Sequence, residues 1–525
     1  MNKIQILDCT LRDGGYCNEW RFGFENAQRI TEGLSKANVE IIECGFLTNR
    51  VEYNPDVTRF TSTEEVAKII PRERKENTYV VMMNYGEYEV EKLPNYDGSS
   101  IDGIRVAYHK KNRFEALEKC KIIKEKGYLV FVQAMVSLSY SDEEFLEMIK
   151  MVNEIEPYSF YIVDSFGMMK GKDLTRLFYM VEHNLKENIW IGFHSHNNLQ
   201  LAYSNAQRLT TVQTNRNLII DSSIMGMGRG AGNLNTELFL GYLNENVDNR
   251  YDIKPLLVIM DKILTPFYER NYWGYSLPNY ISATHNAHPN YAGYLDAKKT
   301  LTFEDMNNIF DMMDEDRKVA YDKAYIEELY LKYQEKDRAQ EAHLSDLMAK
   351  LANKGVMMVA PGQSSVIERD KILTTAKRPD VVTISINYDF DENITDFLFV
   401  SNLRRYRDLP ANKRTKSIVT SNIPAIDVYL QVRFKDLLNT VESVKDNAGL
   451  MLAKLLIQLG VKKIYIAGMD GYSVNPDENY ADQRMNLYSE KEIAEKKNAG
   501  MITVLKEIRQ MADVEFVTTP RFVVL

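Results

Sequence analysis

The fold is decided by the stretch Trp190-Ile191-Gly192-Phe193-His194-Ser195-His196-Asn197-Asn198, in which an apolar run leads directly into two histidines. Side chains two residues apart in a strand point to the same face, so His194 and His196 can converge on one point. Two converging imidazoles are typical of a metal site, although the same pattern also occurs as a polar strand end without a metal. The rest of the chain decides between these interpretations.

Length and composition indicate several domains and exclude two classes of partner. The chain has 525 residues, 45% of them hydrophobic, which predicts two or three domains with ample core material. The formal net charge is -9 and no basic stripe interrupts the mixed charges, so we expect no nucleic-acid partner. No apolar run approaches the ~18 residues of a membrane span, and the four cysteines show no framework spacing. We therefore expect a cytoplasmic protein without a membrane span.

Short strand-like runs alternate with amphipathic helical runs from Ile4 to about Ser223. Eight such alternations predict an N-terminal (β/α)8 TIM barrel rather than an open sheet. The predicted strands are Ile4–Asp8, Glu40–Gly45, Tyr79–Met83, Gly103–Ala107, Leu129–Met135, Phe160–Asp164, Trp190–His196 and Leu218–Ser222. Ionisable and amide groups gather at the C-terminal ends of these runs, where the chemistry of such barrels lies.

Three motifs lie at these predicted strand ends. They are Asp8-x-Thr10-Leu11-Arg12-Asp13-Gly14, His194-x-His196, and Gly228-x-Gly230-Ala231-Gly232-Asn233 with Glu237. Together, and in this order, they resemble the signatures of the DRE-TIM metallolyase superfamily. That superfamily includes 4-hydroxy-2-oxovalerate aldolase, the 3-hydroxy-3-methylglutaryl-CoA lyases and the isopropylmalate-type synthases. The resemblance extends over the first half of the chain and implies a carbon–carbon lyase of the aldolase type.

The resemblance implies a divalent cation held by Asp13, His194 and His196, with Asn233 as a fourth ligand. A mixed oxygen and nitrogen set with positions left for water suits Mg2+ or Mn2+ better than a thiolate-rich zinc site. Fe2+ is a weaker alternative, because two histidines and one carboxylate can also hold iron for oxygen chemistry, and Zn2+ is another. The sequence therefore predicts a manganese or magnesium enzyme.

The implied reaction makes or breaks a carbon–carbon bond through the metal-bound enolate of a 2-oxo acid such as pyruvate, with an aldehyde or sugar as the second substrate. Arg12 would stabilise the developing enolate oxygen, whereas a simple salt bridge with Asp13 is the alternative for this arginine. We predict that further substrate contacts come from Arg105, His109, Gln133 and Ser165.

The acid–base group departs from the pattern of the aldolases that the chain resembles. Their pattern is Arg-Asp-Gly-x-His, and Tyr16 takes the place of this histidine. A phenol ordinarily has a pKa of about 10 against about 6.5 for an imidazole, so a tyrosine needs a shifted pKa to act as a base. Other candidates are Glu43, His109, and Tyr275, Tyr280, His285 and His288 of the segment after the barrel. The resemblance implies a tyrosine from a helical extension, for which Tyr280 is our choice, and aromatic packing is the alternative.

The chain after the barrel divides further. We predict a barrel domain at 1–250, a helical extension at 251–352 and a Rossmann-like α/β domain at 353–525. In the last part, the strand before Ala360 is followed by a turn at Gly362 and Ser364 that opens a helix. Such a turn can present backbone N–H groups to a phosphate, and an ordinary strand-turn-helix connection is the alternative.

Short motifs of this last domain loosely resemble the nucleotide-binding fold of bacterial sialyltransferase-like proteins. The matching positions are Gly362-x-Ser364, Asn387 after a strand, Asn447-Ala448-Gly449 and Asp470. The resemblance implies a site for a nucleotide or nucleotide-sugar at Gly362, Ser364, Asn387 and Asp470, and a place in sugar or polysaccharide biosynthesis. The last histidine is His343, so the domain lacks the histidine that those transferases use, and we expect binding rather than catalysis.

Two other functions remain open at this point. The barrel could have lost catalysis with the change to Tyr16 and act as a binding or scaffold module. It could also be a Claisen-type enzyme that uses an acyl-CoA. In each case we expect a homo-oligomer.

Overall fold

The computed structural model describes residues 3–298, 300–334, 343–425, 427–482, 485 and 491–523. The chain divides into two compact units. The first comprises Met1–Gly293 and Asp314–Tyr321, and the second comprises Tyr294–Met313 and Asp322–Leu525. The stretch predicted as a helical extension, residues 251–352, is therefore shared between the two units.

The first unit contains a closed barrel of eight parallel strands, which confirms the predicted fold. The strand order is β1-β9-β8-β7-β6-β5-β4-β2, and pairing of β1 with β2 closes the barrel, while the short β3 adds to β2. The strands are β1 (Ile4–Asp8), β2 (Ile41–Leu47), β3 (Arg59–Phe60), β4 (Thr78–Asn84), β5 (Gly103–Tyr108), β6 (Leu129–Ala134), β7 (Ser159–Asp164), β8 (Trp190–Ser195) and β9 (Leu218–Ser222).

Helices surround the barrel and bury one face each. In α5, Phe145, Ile149 and Val152 recur at helical spacing on the buried face, and a capping box at Ser141 starts the helix. The helices assigned wholly or partly to this unit are α1 (Thr10–Asp13), α2 (Phe24–Lys36), α3 (Thr63–Ala67), α4 (Arg113–Glu125), α5 (Asp142–Ile155), α6 (Gly171–Asn184), α7 (Ala202–Thr211), α8 (Thr236–Asn246), α9 (Lys254–Ile259), α10 (Thr265–Arg270), α11 (Leu277–Thr284) and α12 (Pro289–Lys298).

The barrel interior is filled by side chains rather than left open. Leu7, Ile41 and Tyr161 belong to one buried cluster inside the barrel. Along each strand, residues of this cluster alternate with residues of a second cluster that faces the helices. Gly192 makes room for this filling, because a Cβ at this position would lie 2.3 Å from the Tyr161 ring. The filled interior leaves the C-terminal strand ends as the place where polar groups can gather.

The second unit contains a parallel sheet of seven strands in the order β14-β13-β12-β11-β10-β15-β16. The strand order reverses between β10 and β15, which is the topological switch point where ligands bind in doubly wound sheets. The strands are β10 (Gly355–Val359), β11 (Val381–Ile386), β12 (Phe397–Val400), β13 (Ser417–Thr420), β14 (Leu430–Val432), β15 (Lys463–Ala467) and β16 (Asp513–Phe516). The predicted Rossmann-like α/β architecture is confirmed.

The helices of the second unit include one long element near its end. They are α13 (Phe303–Asp311), α14 (Lys323–Gln334), α15 (Leu344–Leu351), α16 (Ser364–Ile367), α17 (Arg369–Ala376), α18 (Leu403–Asp408), α19 (Ala411–Arg414), α20 (Ala448–Gln458) and α21 (Lys491–Met511). Across the described residues of both units, no helix combines the length and the apolar character that crossing a bilayer requires.

Candidate active site and metal centre

Three buried side chains meet at the C-terminal end of the barrel. Asp13 lies in the short helix α1 after β1, His194 lies near the end of β8, and His196 directly follows that strand. One potential ligand atom from each residue lies within 4.8 Å of the other two. The structure therefore brings together the three residues that the sequence motifs indicated, at a spacing that a shared cation can bridge.

Hydrogen bonds hold both imidazole rings. Nδ1 of His194 lies 2.9 Å from a carboxylate oxygen of Asp221, and Nδ1 of His196 lies 3.2 Å from the carbonyl oxygen of Arg229. Because Nδ1 of His194 is engaged by Asp221, its Nε2 is the nitrogen that it can offer to a cation, whereas Nδ1 of His196 also lies 3.8 Å from a carboxylate oxygen of Asp13. Burial lowers the pKa of His196 to about 3, which keeps this ring neutral and able to act as a ligand.

Asn233 provides the test of whether these residues fit a metal. Its Nδ2 donates to Asp13 at 2.6 Å, while its Oδ1 is buried without a hydrogen-bond partner in the described part of the chain. A buried oxygen without a partner costs about 1–3 kcal/mol, and a cation would satisfy it. One carboxylate, two imidazoles and one amide oxygen form a donor set that fits a divalent cation.

A buried ion-pair network fixes Arg12 beside this cluster. Its Nη1 contacts Asp13, its Nε donates to Glu43 at 2.9 Å, and its Nη2 is buried without a partner among the residues described. Burial alone would raise the pKa of Asp13, but Arg12 and the two histidines hold this pKa well below its usual range. Asp13 is therefore charged at neutral pH, and Nη2 of Arg12 is available to a ligand oxygen.

Arg105 lies inside the barrel, with 0% of its surface exposed. Its Nη1 donates to Glu43 at 2.7 Å, its Nη2 contacts Asp221, and its guanidinium lies 5.0 Å from the ring centre of Tyr161. Arg105 thereby connects the carboxylate that holds Arg12 with the carboxylate that holds a histidine of the cluster. These contacts favour a positioning role for Arg105 over the direct substrate contact that the sequence predicted.

Gln133 and Ser165 lie at the ends of β6 and β7. Gln133 is buried, and its Nε2 has no partner within the described residues, so it keeps a donor for a ligand. The hydroxyl of Ser165 accepts the backbone N–H of Val136 at 2.9 Å, and its carbonyl accepts from Arg229 at 3.2 Å. The hydroxyl of Ser165 is thus already used within the strand-end loops.

The remaining predicted residues are more exposed. Tyr16 is 42% exposed, its ring centre lies 4.8 Å from that of Trp20, and the guanidinium of Arg229 lies 5.5 Å from it. His109 follows β5 and is exposed. Tyr280 lies in α11 and is 44% exposed, and its hydroxyl forms no hydrogen bond to another predicted site residue among those described. The structure therefore does not link Tyr280 to the cluster.

Two residues of this site were not predicted from the sequence. Asp221 is the single carboxylate of the buried strand β9 and directly follows three apolar residues, and a charge after such a run was the signal that could have identified it. Arg229 occupies a variable position of the glycine-rich motif, where no pattern distinguishes it. His288, named only as one of several candidates, lies against Phe166 with ring centres 5.5 Å apart.

The second unit has a cavity of about 310 Å³ at the switch point of its sheet. Gly362, Asn387 and Asp470 line it, together with the first turn of α20. Ser364 lies behind this lining, since its backbone N–H donates to Asp470 at 2.7 Å and its hydroxyl contacts the same carboxylate. The structure thus gathers the four residues predicted for nucleotide binding around one cavity.

Comparison with known proteins gives several matches. A family model described as HMGL-like matches residues 100–263. A 4-hydroxy-2-oxovalerate aldolase from Geobacillus genomosp. 3 is 28% identical over 269 residues, covering 50% of this chain and 77% of that protein. The corresponding aldolase from Shewanella halifaxensis is 24% identical over 271 residues, covering 51% of this chain and 78% of its own.

A solved structure agrees with these matches. It is the N-terminal domain of a protein from Bacteroides vulgatus that is described as an aldolase, with 28% identity and a TM-score of 0.50. The similarity covers 57% of this chain and 98% of that domain. The matched family model spans β5 to β9, which carry the two histidines of the cluster. The barrel of this chain thus contains an HMGL-like domain at residues 100–263 and is similar in sequence to aldolases, which supports its resemblance to the DRE-TIM metallolyases.

Proposed function

We propose that this chain is a divalent-metal-dependent aldolase that makes or breaks a carbon–carbon bond through the enolate of a 2-oxo acid such as pyruvate. The observation that carries the proposal is the buried cluster of Asp13, His194 and His196 with the unpartnered Nη2 of Arg12 beside it. An aldol reaction needs both a site that chelates the 2-oxo acid and a donor for the oxygen on which charge develops.

Asp13, His194 and His196 would hold Mg2+ or Mn2+, with Asn233 as the fourth ligand. When bound, such a cation supplies Lewis-acid polarisation of the substrate carbonyl. The buried carboxylate of Asp13 is charged because Arg12 stabilises it, so the site is ready to accept a cation at neutral pH. Among the described residues the cluster contains no thiolate, which disfavours a structural Zn2+ site, and the Arg12-Asp13 pair with the glycine-rich loop resembles the lyase pattern rather than that of an iron oxygenase.

Arg12 would donate from Nη2 to the enolate oxygen. Its other guanidinium nitrogens are held by Asp13 and Glu43, so the direction of the remaining N–H groups is fixed before the substrate binds. Preorganised donors of this kind act most strongly in a buried site, where little water competes. We assign Glu43 to positioning, because the oxygen that holds Arg12 also accepts from Arg105.

Proton transfer to and from the substrate carbon is assigned to Tyr16. This residue lies in the 3-10 turn Gly14–Cys17, which directly follows the helix α1 that carries Arg12 and Asp13. Tyr280 and His109 are the alternative groups, and Gln133 is proposed to contact the substrate through its unpartnered amide nitrogen.

Exchange of the C3 protons of pyruvate in deuterium oxide tests the proposal without knowledge of the aldehyde. We expect the full chain loaded with Mn2+ to exchange these protons, the Asp13→Asn variant to lose exchange by at least 100-fold, and the exposed control Glu245→Gln to keep it. A folded, metal-loaded wild type without exchange would contradict the proposal and favour a binding or scaffold module. Release of free thiol from an acyl-CoA would favour the Claisen-type alternative.

The cavity of the second unit supports a second function, the binding of a nucleotide or nucleotide-sugar. It lies at the switch point between β10 and β15, and both Lys298 and Arg405 line it beside the first turn of α20. Burial lowers the pKa of Arg405, which is the direction expected for a guanidinium whose charge is incompletely compensated. A homo-oligomeric cytoplasmic enzyme of sugar or polysaccharide biosynthesis is the context that we propose.

Titration calorimetry of the full chain with CMP, UDP and UDP-glucose tests this second function. We expect micromolar binding of at least one of the three and a loss of at least tenfold in the Arg405→Ala variant. The exposed Arg378→Ala variant is the matched control, because Arg378 pairs with Asp380 away from the cavity lining. Equal affinities in all three proteins, or no binding, would overturn the assignment.

A further inference from the structure

Arg229 is a cation at the C-terminal end of the barrel. It lies in the glycine-rich loop after β9, donates from Nη2 to the carbonyl oxygen of Ser165 at 3.2 Å, and covers the ring of Tyr16 at 5.5 Å. Its Nε is buried without a hydrogen-bond partner, and within the described part of the chain it forms no ion pair with a carboxylate. A guanidinium held in this way keeps donors for an anion.

His288 shares this region with Arg229, because its ring lies against Phe166, the neighbour of the Ser165 whose carbonyl accepts from Arg229. Burial lowers the pKa of His288 to about 3, and the charge of Arg229 and the neighbouring His109 act in the same direction. Arg229 is the permanent cation among these neighbours, and no carboxylate is among the groups that shift the pKa of His288.

The tautomer of His288 adds a neutral donor to this region. The backbone N–H of Asn290 donates to Nδ1 of His288 at 3.2 Å, so the neutral ring carries its proton on Nε2. The backbone N–H of His288 donates to the carbonyl of Lys318 at 2.9 Å, and its ring lies against Phe166, which fix the residue in place. One permanent cation and one fixed N–H donor are the elements of an anion site.

The single carboxylate of the metal cluster, Asp13, interacts more strongly with Arg12 and the two histidines than with Arg229. Asp13 is engaged by Arg12 and Asn233, and a bound cation would take up its remaining charge. The 2-oxo acid would bind to the cation, which Asp13 would hold, and to Arg12, which contacts Asp13. The charge of Arg229 is therefore left for a different part of the substrate pair.

We propose that Arg229, together with His288, binds an anionic group, a carboxylate or a phosphate, on the aldehyde that reacts with the 2-oxo acid. This inference rests on the proposed aldolase function and adds the substrate class of its second reactant. The acceptor is thus a negatively charged aldehyde rather than a small neutral one.

Matched pairs of aldehydes test the inference in the metal-loaded full chain. The pairs are glyceraldehyde with glyceraldehyde 3-phosphate, and propanal with succinic semialdehyde, each with pyruvate. We expect kcat/KM to favour one anionic member over its neutral partner by at least tenfold, and the preferred pair identifies phosphate or carboxylate. In Arg229→Ala this ratio should fall at least tenfold, and Arg229→Lys should recover part of it. Because the two kcat/KM values of a pair are compared in the same protein, a loss of turnover that affects both aldehydes equally cancels in their ratio.

Other outcomes overturn the inference. Equal kcat/KM values within both pairs would contradict it, and so would an intact ratio in Arg229→Ala with a raised KM for pyruvate, which would place the arginine at the 2-oxo acid. If the wild type makes no aldol with any aldehyde, the proposed function fails separately. Calorimetric titration with inorganic phosphate and with succinate then decides, since equal affinities in wild type and Arg229→Ala would exclude an anion site.

Discussion

Asp221 joins His194 to Arg105 through a single carboxylate oxygen, which lies 2.9 Å from Nδ1 of the histidine and also contacts Nη2 of the arginine. All three side chains are buried. Burial alone would raise the pKa of Asp221, but Arg105 and then His194 lower it, so the carboxylate is charged. The orientation of a proposed metal ligand therefore depends on an ion pair inside the barrel.

Replacing Asp221 by asparagine should weaken metal binding. The amide keeps the shape but removes the charge that orients His194 and increases its basicity, and such changes typically reduce metal affinity by about 10–100-fold. Calorimetric titration with Mn2+ measures the effect, with Glu245→Gln as a control for a surface charge. An unchanged affinity would show that the ring is held by other contacts.

Removing a direct ligand should have a larger effect than removing its orienting partner. We expect Asp13→Asn and His196→Ala to abolish stoichiometric metal binding, measured as metal content after dialysis. A ligand that binds only the folded state at 100 times its Kd stabilises that state by about 2.7 kcal/mol. Mn2+ should therefore raise the Tm of the wild type and of Glu245→Gln but not of the two variants, and an equal rise in all four would argue against the cluster.

The buried carboxyl of Asp8 should make the stability of the barrel depend on pH. Burial raises its pKa to about 6, against hydrogen bonds from Thr236 and Thr10 that lower it. The folded state therefore holds the proton more tightly than the unfolded state. The contribution is fully present below about pH 4 and is lost as the pH rises through about 6, a change of about 3 kcal/mol.

Asp8→Asn should lack this dependence, because the amide imitates the protonated acid. Urea unfolding followed by tryptophan fluorescence isolates the barrel, since Trp20, Trp190 and Trp273 all lie in the first unit. The difference in free energy of unfolding between wild type and variant should change between about pH 4 and pH 7. Other titrating groups cancel in this difference, and parallel pH curves would refute the assignment.

A methyl group at Gly362 should destabilise the second unit. A Cβ there would lie 2.3 Å from the carbonyl oxygen of Gly468, a backbone atom that cannot move aside without shifting β15 and its loop. Overpacking of this kind costs about 1–3 kcal/mol. Unfolding followed by circular dichroism should show an earlier transition in Gly362→Ala, while the tryptophan transition of the first unit stays in place.

Gly241→Ala is the matched control for that experiment. Gly241 lies in α8 of the first unit, and apart from its chain neighbours and the backbone of its own helix no atom lies within 4 Å of a Cβ at this position. The substitution should stabilise the first unit by about 0.4–1 kcal/mol, because alanine loses less backbone freedom on folding. A destabilised tryptophan transition in Gly362→Ala would show that its effect is not confined to the second unit.

The strands of the barrel could be predicted closely from the sequence. Parallel strands covered by helices are buried on both faces and appear as continuous apolar runs, as in Leu218–Ser222, where the prediction matches the structure. The strands that were missed lack this character. Leu430–Val432 has only three residues, and Asp513–Phe516 is an edge strand with exposed charges, so neither forms an apolar run.

The candidate site was predictable only where a motif marks it. Asp13, His194 and His196 lie in short patterns that place a ligand at a strand end, and the structure brings them together. Asp221 and Arg229 contact residues on other strands and loops, and the spacing of residues within a short motif does not predict such contacts. The contacts of Arg105 show the same limit, because its position at a strand end does not reveal whether the side chain points toward the substrate or into the barrel.

The division of the chain has a consequence for synthesis on the ribosome. The first unit includes Asp314–Tyr321, which is translated only after Tyr294–Met313 of the second unit. Tyr291 contacts the carbonyl oxygens of Arg317 and Ala320, and the backbone of His288 is held by Lys318. A nascent chain that ends at Gly293 thus contains every barrel strand but lacks the residues that seat His288. Vectorial folding can close the barrel first, and the proposed anion site matures in a later step.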